Sequence, residues 1–428
     1  MKRVLIISPY FPPTNAADMQ RIRMSLPYFS DFGWEAEVVT VDPVHSDMAK
    51  DPLLLQSIPG KIKVHYVGAF QKRWTAKIGL GSISLRSLLF YRKKVNRILR
   101  HKKFDLIYFS TTQFYICILG PYWKKKFGVP YVIDMQDPWH SDYYRDKRKD
   151  ERPPKYWFSY RLNKMLEPVA MKKVDGLTAV SGAYLKTLAH RYERCRQIPQ
   201  RTITFGAFEK DLSIAQQNLA VQPSVLPPRD GKIKVVYVGR GGKDMQDAIS
   251  YLFRAFHMGL EAQNNNFNRI HFYFIGTSYA AAGKGLPTVL PVARALGVAD
   301  HVTEITDRIP FYQTLNTLAA ADALFVPGSN DPQYTASKIY PYVLACKPLL
   351  AIFHPASSVV SFLRSCNAGT VVTFDQEPAD ILNEMNLFLQ NICRGQITAP
   401  KPDAEVFNQY SAKKMTEHQC DLFNEVVK

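Results

Sequence analysis

A chain of 428 residues is longer than one ordinary hydrophobic core supports, so two domains are expected. Hydrophobic residues make up 46% and charged residues 21%, a globular balance that excludes a disordered or fibrous chain. The formal net charge of +18 points to an anionic partner: nucleic acid, a membrane surface or a phosphorylated substrate.

The six cysteines are scattered, with no CxxC pair and no zinc spacing. That pattern fits free thiols in a reducing compartment. The opening MKRVLIISPYFPP has too short an apolar run for a secretory leader and reads as a buried first strand. No run approaches the length that spans a bilayer. A cytoplasmic protein is expected, with a peripheral position at the inner membrane face left open.

Residues 4–7 (VLII) read as the first strand. Helical spacing follows over 20–32, and then strands at 37–41, 104–109 (FDLIYF), 131–133 (YVI) and 177–180 (LTAV). Near-continuous β-rich runs separated by helices predict a parallel sheet covered on both faces, here over residues 1–208. Residues 209–232 break the pattern, and their later part has three prolines and no period, so they read as a linker. Alternation restarts with 234–238 (KVVYV), which runs into Gly239-Arg240-Gly241-Gly242 and a helical stretch to about residue 260. Strands are expected at 271–275, 302–305, 323–326, 349–352 and 369–372, giving a second domain over 233–400. The tail, 401–428, holds apolar residues at helical spacing and reads as a terminal helix. The fold class is therefore α/β, with two tandem Rossmann-like, doubly wound domains. Ligands of open α/β sheets sit at the carboxyl ends of the strands, so the expected site is the cleft between the domains.

Five stretches have residue types suited to chemistry. In VGRGGKD, residues 238–244, Gly239 and its neighbours let backbone amides approach an anion, and Arg240 and Lys243 match phosphate oxygens; the alternative is a solvated turn. This is neither a Walker loop nor the GxGxxG fingerprint. In YTASKIYPYVLACKP, residues 334–348, Ser337 either caps a helix or faces a ligand. Lys338 beside it opposes the helix macrodipole, which suggests a bound anion contacted by both, unless the ammonium points into water. Pro341 is tolerated there because first-turn amides lack intrahelical partners. In IDMQDPWHSD, residues 133–142, Asp137 and His140 lie near a strand's carboxyl end. They suit acid–base or hydroxyl-orienting work, or else a helix cap and a surface histidine. The loop after the first strand offers Asn15, Gln20 and Arg21, with a proline-stiffened connection as the plainer reading. Finally, residues 86–103 carry eight basic residues and no acid, with Leu85, Leu88, Leu89, Val95 and Leu99 on one side; basic runs recur at 124–126 and 145–152. A basic amphipathic helix suits an anionic lipid surface. Nucleic-acid binding is disfavoured, because these runs lack interleaved stacking aromatics.

Taken together, these segments resemble the retaining glycosyltransferases of family 4 (group 1 type), which have the GT-B fold. The likeness runs from ISPYFPP and DFGWEAEVVTV through LNKMLEPVAMKKVDGLTAVSGAYLKTL and ITFGAFEKD to VVYVGR, IPFYQTLNTLAAADALFVPG and SKIYPYVLACKPLLAI, in the family's order. The resemblance implies a nucleotide-sugar donor and a glycan or lipid-linked acceptor, with transfer in polysaccharide or glycoconjugate synthesis. It places Arg240 and Lys243 at the donor diphosphate, with Gly239, Ser337, Lys338 and Tyr342 nearby and Arg308 and Ile309 near the base. It places Asp137 and His140 near the acceptor and the reacting carbon. Cations at the leaving diphosphate would stabilise its developing charge with neither cofactor nor metal. Where the family commonly has two glutamates seven residues apart, this chain has Gln333 and Pro341, and Asn15-Ala16-Ala17 replaces the usual glycine pair. A GT-B-like protein without transferase activity, or a nucleotide-sugar epimerase, is the alternative reading.

Overall fold

Runs such as LIYFS and IHFYFI leave no solvent-facing alternate position, and each forms a strand buried along its whole length. The computed structural model covers residues 1–428 and describes all of them except 143, 146, 150, 151, 154, 229, 263–265, 281, 282, 333 and 335. The chain divides into two compact units: Met1–Gly206 with Tyr410–Lys428, and Ala207–Gln409.

In the first unit the strands are β1 (Lys2–Ile7), β2 (Trp34–Val41), β3 (Lys63–Val67), β4 (Leu106–Ser110), β5 (Tyr131–Met135), β6 (Gly176–Ala179) and β7 (Gln200–Thr202). They form one parallel sheet in the order β3-β2-β1-β4-β5-β6-β7. One face is covered by a core that includes Tyr91, Val95, Trp123 and Ala170. The other is covered by Ile22, Phe29 and the terminal helix Ala412–Val426, whose Phe423 ring lies 4.8 Å from Tyr108 and 5.4 Å from Trp34. The tail thus completes the first unit. Gly206 meets it closely: a Cβ there would lie 2.8 Å from the Ala412 nitrogen.

In the second unit the strands are β8 (Ile233–Val238), β9 (Ile270–Ile275), β10 (Val302–Ile305), β11 (Ala323–Pro327), β12 (Leu349–Phe353) and β13 (Thr370–Thr373). Their order is β10-β9-β8-β11-β12-β13, again parallel. Both orders reverse beside the first strand of the unit, the position where doubly wound sheets bind ligands.

Several segments differ from expectation. Strands β3 and β7 were not anticipated, because KVHYV and QRT are edge strands with polar residues. The segment expected as a linker opens with a helix, Glu209–Gln217, that buries Ile214 and Ala215. The tail is two helices, Ala404–Asn408 and Ala412–Val426, each started by a side-chain cap, Asp403 and Ser411. The helix expected over 20–32 is a short one, Gln20–Ser25, followed by a 3-10 turn, Phe29–Phe32.

A buried charge cluster fixes the middle of the first sheet. Arg21 and Asp134 are both fully buried and paired at 2.6 Å. The other Arg21 donors reach the carbonyls of Ile203 (2.8 Å) and Thr204 (3.2 Å). Asp134 also accepts from Thr178 (2.9 Å), Ser110 (3.1 Å) and Gln136 (2.8 Å). Asp134→Ala should therefore destabilise the fold by about 3–5 kcal/mol, the cost of a buried guanidinium left without its partner. Urea melts of the single variant and of Arg21→Met/Asp134→Leu check this, and the double variant should recover most of the loss. A single-variant loss below about 0.5 kcal/mol, the scale of an ordinary surface change, would contradict the claim.

Candidate functional site

In the second unit the chemistry gathers at the carboxyl end of β8. Tyr237, inside the strand, places its hydroxyl at the strand's end. That hydroxyl donates to the Arg240 carbonyl (2.9 Å) and accepts a short hydrogen bond from Lys338 Nζ. The ammonium also lies 4.4 Å from the Tyr237 ring centroid. Gly239 makes this approach possible, since a Cβ there would lie 2.6 Å from Lys338 Nζ. Arg240 is half-buried, lies 5.5 Å from the Tyr334 ring, and pairs with Asp244 through two 2.7 Å bonds. Those bonds raise the arginine pKa and lower that of Asp244. Burial, reinforced by the Arg240 charge and opposed by Asp244, depresses the Lys338 ammonium to about 7.

The neighbouring candidates sort clearly. Lys243 is exposed, in the 3-10 turn Lys243–Met245. Ser337 is exposed and caps nothing: the helix is only Ile339–Leu344, with Lys338 at its N-cap and no side-chain cap bond. Pro341 sits in the first turn, as expected, and its carbonyl accepts from Ala345. Gln333 lies outside the described residues. Tyr342 is corrected: it is fully buried, and its hydroxyl bridges the Val238 amide (2.7 Å) and carbonyl (2.9 Å), so it secures the strand end instead of contacting a ligand. Arg308 is exposed, with its guanidinium 5.5 Å from the Tyr279 ring, and Ile309 beside it is half-buried. Asp244, Tyr237 and Tyr334 escaped sequence reasoning. The only available signal was the four-residue spacing of Arg240 and Asp244, which is unremarkable outside a helix.

In the first unit, polar residues gather at the carboxyl ends of β4 and β5. Asp18 is buried and accepts from Thr111 (2.8 Å) and the Thr112 amide (3.1 Å), while burial raises its pKa. Asp137 lies open at the rim, yet packed atoms on its inner side and the Asp18 charge raise its pKa. His140 is buried, its amide donating to Glu167 (2.9 Å) and its carbonyl accepting from Arg191 (3.2 Å). Its ring lies 4.9 Å from Tyr160, and among the described residues Nε2, itself buried, meets no hydrogen-bond partner. Burial and the Arg191 charge lower its pKa, so a neutral imidazole is favoured. The N-terminal loop is less promising. Arg21 is corrected, because all its bonds are made inside the core. Gln20 accepts from Arg23 at 2.8 Å, and the Asn15 amide bonds the Ala49 carbonyl. The basic helix Ile83–His101 turns Leu89, Arg92, Lys93, Arg97 and Arg100 to solvent. Arg86 is corrected, since it is buried and donates to the carbonyls of Phe70 and His45. The basic run over 145–152 lies partly outside the described residues.

Two parallel sheets, each with polar residues gathered at its carboxyl edge, match solved structures along almost their whole length. HepE (Alr3699) from Anabaena, solved in complex with UDP, is 17% identical with a TM-score of 0.58, over 98% of this chain and 99% of that one. A UDP-forming trehalose-phosphate synthase from Burkholderia xenovorans is 12% identical with a TM-score of 0.58, over 100% of both chains. The N-terminal domain of trehalose-6-phosphate phosphatase from Candida albicans is 12% identical with a TM-score of 0.59, over 99% of this chain and 97% of that one. The fold is of GT-B type. Identity at this level establishes the fold and nothing finer. No family model matches the sequence, and no curated protein matches it.

The depressed Lys338 ammonium gives a direct check. Competitive acetylation followed by peptide mass spectrometry should give Lys338 a midpoint near 7 in ligand-free protein. A bound diphosphate would place negative charge beside the ammonium and favour its charged form, so it should move the midpoint upward. Titration of Lys338 together with the surface lysines would show that it is not desolvated.

Proposed function

We propose that this chain is a glycosyltransferase that takes a nucleotide sugar in its second unit and transfers the sugar to a glycan or lipid-linked hydroxyl. The observation that carries the reading is the Tyr237 hydroxyl at the carboxyl end of β8, which accepts from the Lys338 ammonium and donates to the main-chain carbonyl of Arg240, so both cationic residues are tied to one strand end. Scission of a sugar–diphosphate bond leaves new negative charge on the diphosphate. A fixed guanidinium and a desolvated ammonium are suited to stabilise it, and they require no reorganisation during the reaction. Lys338 then does what the sequence assigned to the more exposed Lys243. Retention of configuration and hexosyl transfer follow from the family 4 resemblance. The UDP found in HepE makes uracil the first base to try.

The acceptor side is assigned to the carboxyl edge of the first sheet. There the exposed Asp137 carboxyl lies just past β5, three residues before the buried, neutral His140 imidazole, and suits recognition of sugar hydroxyls. The outward cations of the Ile83–His101 helix favour an acceptor presented at an anionic surface.

A panel of UDP-, GDP-, ADP- and TDP-sugars tests this reading, assayed for nucleoside diphosphate release with and without anionic vesicles carrying lipid-linked acceptors. One donor should be turned over, faster with vesicles. Arg240→Ala should cut that rate by about 100–1,000-fold, the effect of removing one donor to a developing anion. Tight nucleotide-sugar binding without transfer or hydrolysis would point instead to a binding protein, and a donor epimerised without acceptor to an epimerase. Failure to bind any donor would contradict the proposal.

A further inference from the structure

The pairing of Arg240 with Asp244 has the form that a guanidinium uses for a phosphate. Both terminal nitrogens are engaged, each with a different oxygen of the same carboxylate, at 2.7 Å and 2.7 Å. A diphosphate that approaches Arg240 from solvent meets these N–H groups already occupied. The carboxylate is held within reach by the chain itself: Asp244 lies in the 3-10 turn Lys243–Met245, immediately before the long helix Gln246–Glu261. It is 40% exposed, so it swings into water without stranding a buried charge. Arg240 is better fixed. Its carbonyl is held by the Tyr237 hydroxyl, and its guanidinium rests 5.5 Å from the Tyr334 ring. The fixed partner is therefore the cation, and the movable one is the carboxylate.

We propose that Asp244 is a resident counter-ion of the anion site, occupying the Arg240 fork when no ligand is bound and displaced when a nucleoside diphosphate takes the same two N–H groups. This rests on reading the end of β8 as a donor site. The Asp244 carboxylate offsets the Arg240 charge, and without it the guanidinium faces the ligand as one more uncompensated positive charge. A diphosphate has more negative charge than a carboxylate and spreads it over more oxygens, so it wins the fork when present. As diphosphate leaves after transfer, the carboxylate returns to the guanidinium and opposes rebinding. Asp244 thereby sets how tightly the site holds its product. The opposite role, in which Asp244 merely orients Arg240 for the ligand, predicts the opposite sign on mutation.

The test is calorimetric titration of UDP, GDP and ADP into the full chain and into Asp244→Asn and Asp244→Ser, with Asp244→Glu as the conservative variant. Thermal melts confirm that each is folded, and either neutral variant suffices. Removing the adjacent negative charge should tighten the preferred nucleoside diphosphate about tenfold. The affinity should also fall more steeply with salt, because one more net positive charge faces the ligand. Asp244→Glu should return both readouts toward wild type. A merely structural role for Asp244 would not tighten binding. Equal or weaker binding by the neutral variants, with the wild type still binding, would overturn the counter-ion role and leave the donor site standing. Failure of the folded wild type to bind any of the three would remove the donor-site reading, and the counter-ion with it.

Discussion

The first unit depends on a carboxylate that has no water. Asp134 lies on β5, an interior strand of a seven-stranded sheet, where an unpaired charge would be prohibitive, and Arg21 meets it there. That pair joins three distant parts of the chain: the helix after β1, the strand β5, and the segment leaving β7. The remaining Arg21 donors hold the carbonyls of Ile203 and Thr204, just before the chain leaves for the second unit. Asp134 in turn aligns Ser110 and Thr178 from the two neighbouring strands and Gln136 just past the end of its own. The loop after β5, which carries Asp137 and His140, therefore starts from a fixed point. The start of that loop is thus positioned by a core ion pair two residues upstream.

The second unit solves a similar problem with a neutral hub. The Tyr237 hydroxyl lies between the loop carrying Arg240 and the segment carrying Lys338, and it binds both. Two cations near one another are unfavourable without an anion, and the structure shows two accommodations. Asp244 pairs with one, and burial lowers the pKa of the other to about 7. On the proposed donor-site reading, the charge of a bound diphosphate would restore what both accommodations leave missing. The buried Tyr342 belongs to the same construction, since it closes the end of β8 on which Arg240 stands.

The core strands were legible because a parallel sheet covered on both faces demands continuous apolar runs. Sequence gave little warning of β3 and β7, which lie at sheet edges and have polar residues. Arg240 was legible as a cation in a glycine-rich turn after a strand. Asp244 was not, because a carboxylate four residues on is informative only once the turn's path brings it back to the guanidinium. Arg21 and Tyr342 show the converse limit. A polar residue in a promising loop or helix looks the same in sequence whether it faces a ligand or closes a core. Lys338 drew attention because it opposes a helix dipole, yet its environment is set by Tyr237, 101 residues away. Pro341 is likewise ordinary as structure.

Hydrogen–deuterium exchange of the full chain, with and without a saturating nucleoside diphosphate, tests the central claim most directly. The account predicts slowed exchange in residues 239–244 and 337–342, where the anion meets the end of β8. Protection confined to other segments, or no change with any of UDP, GDP and ADP, would contradict it.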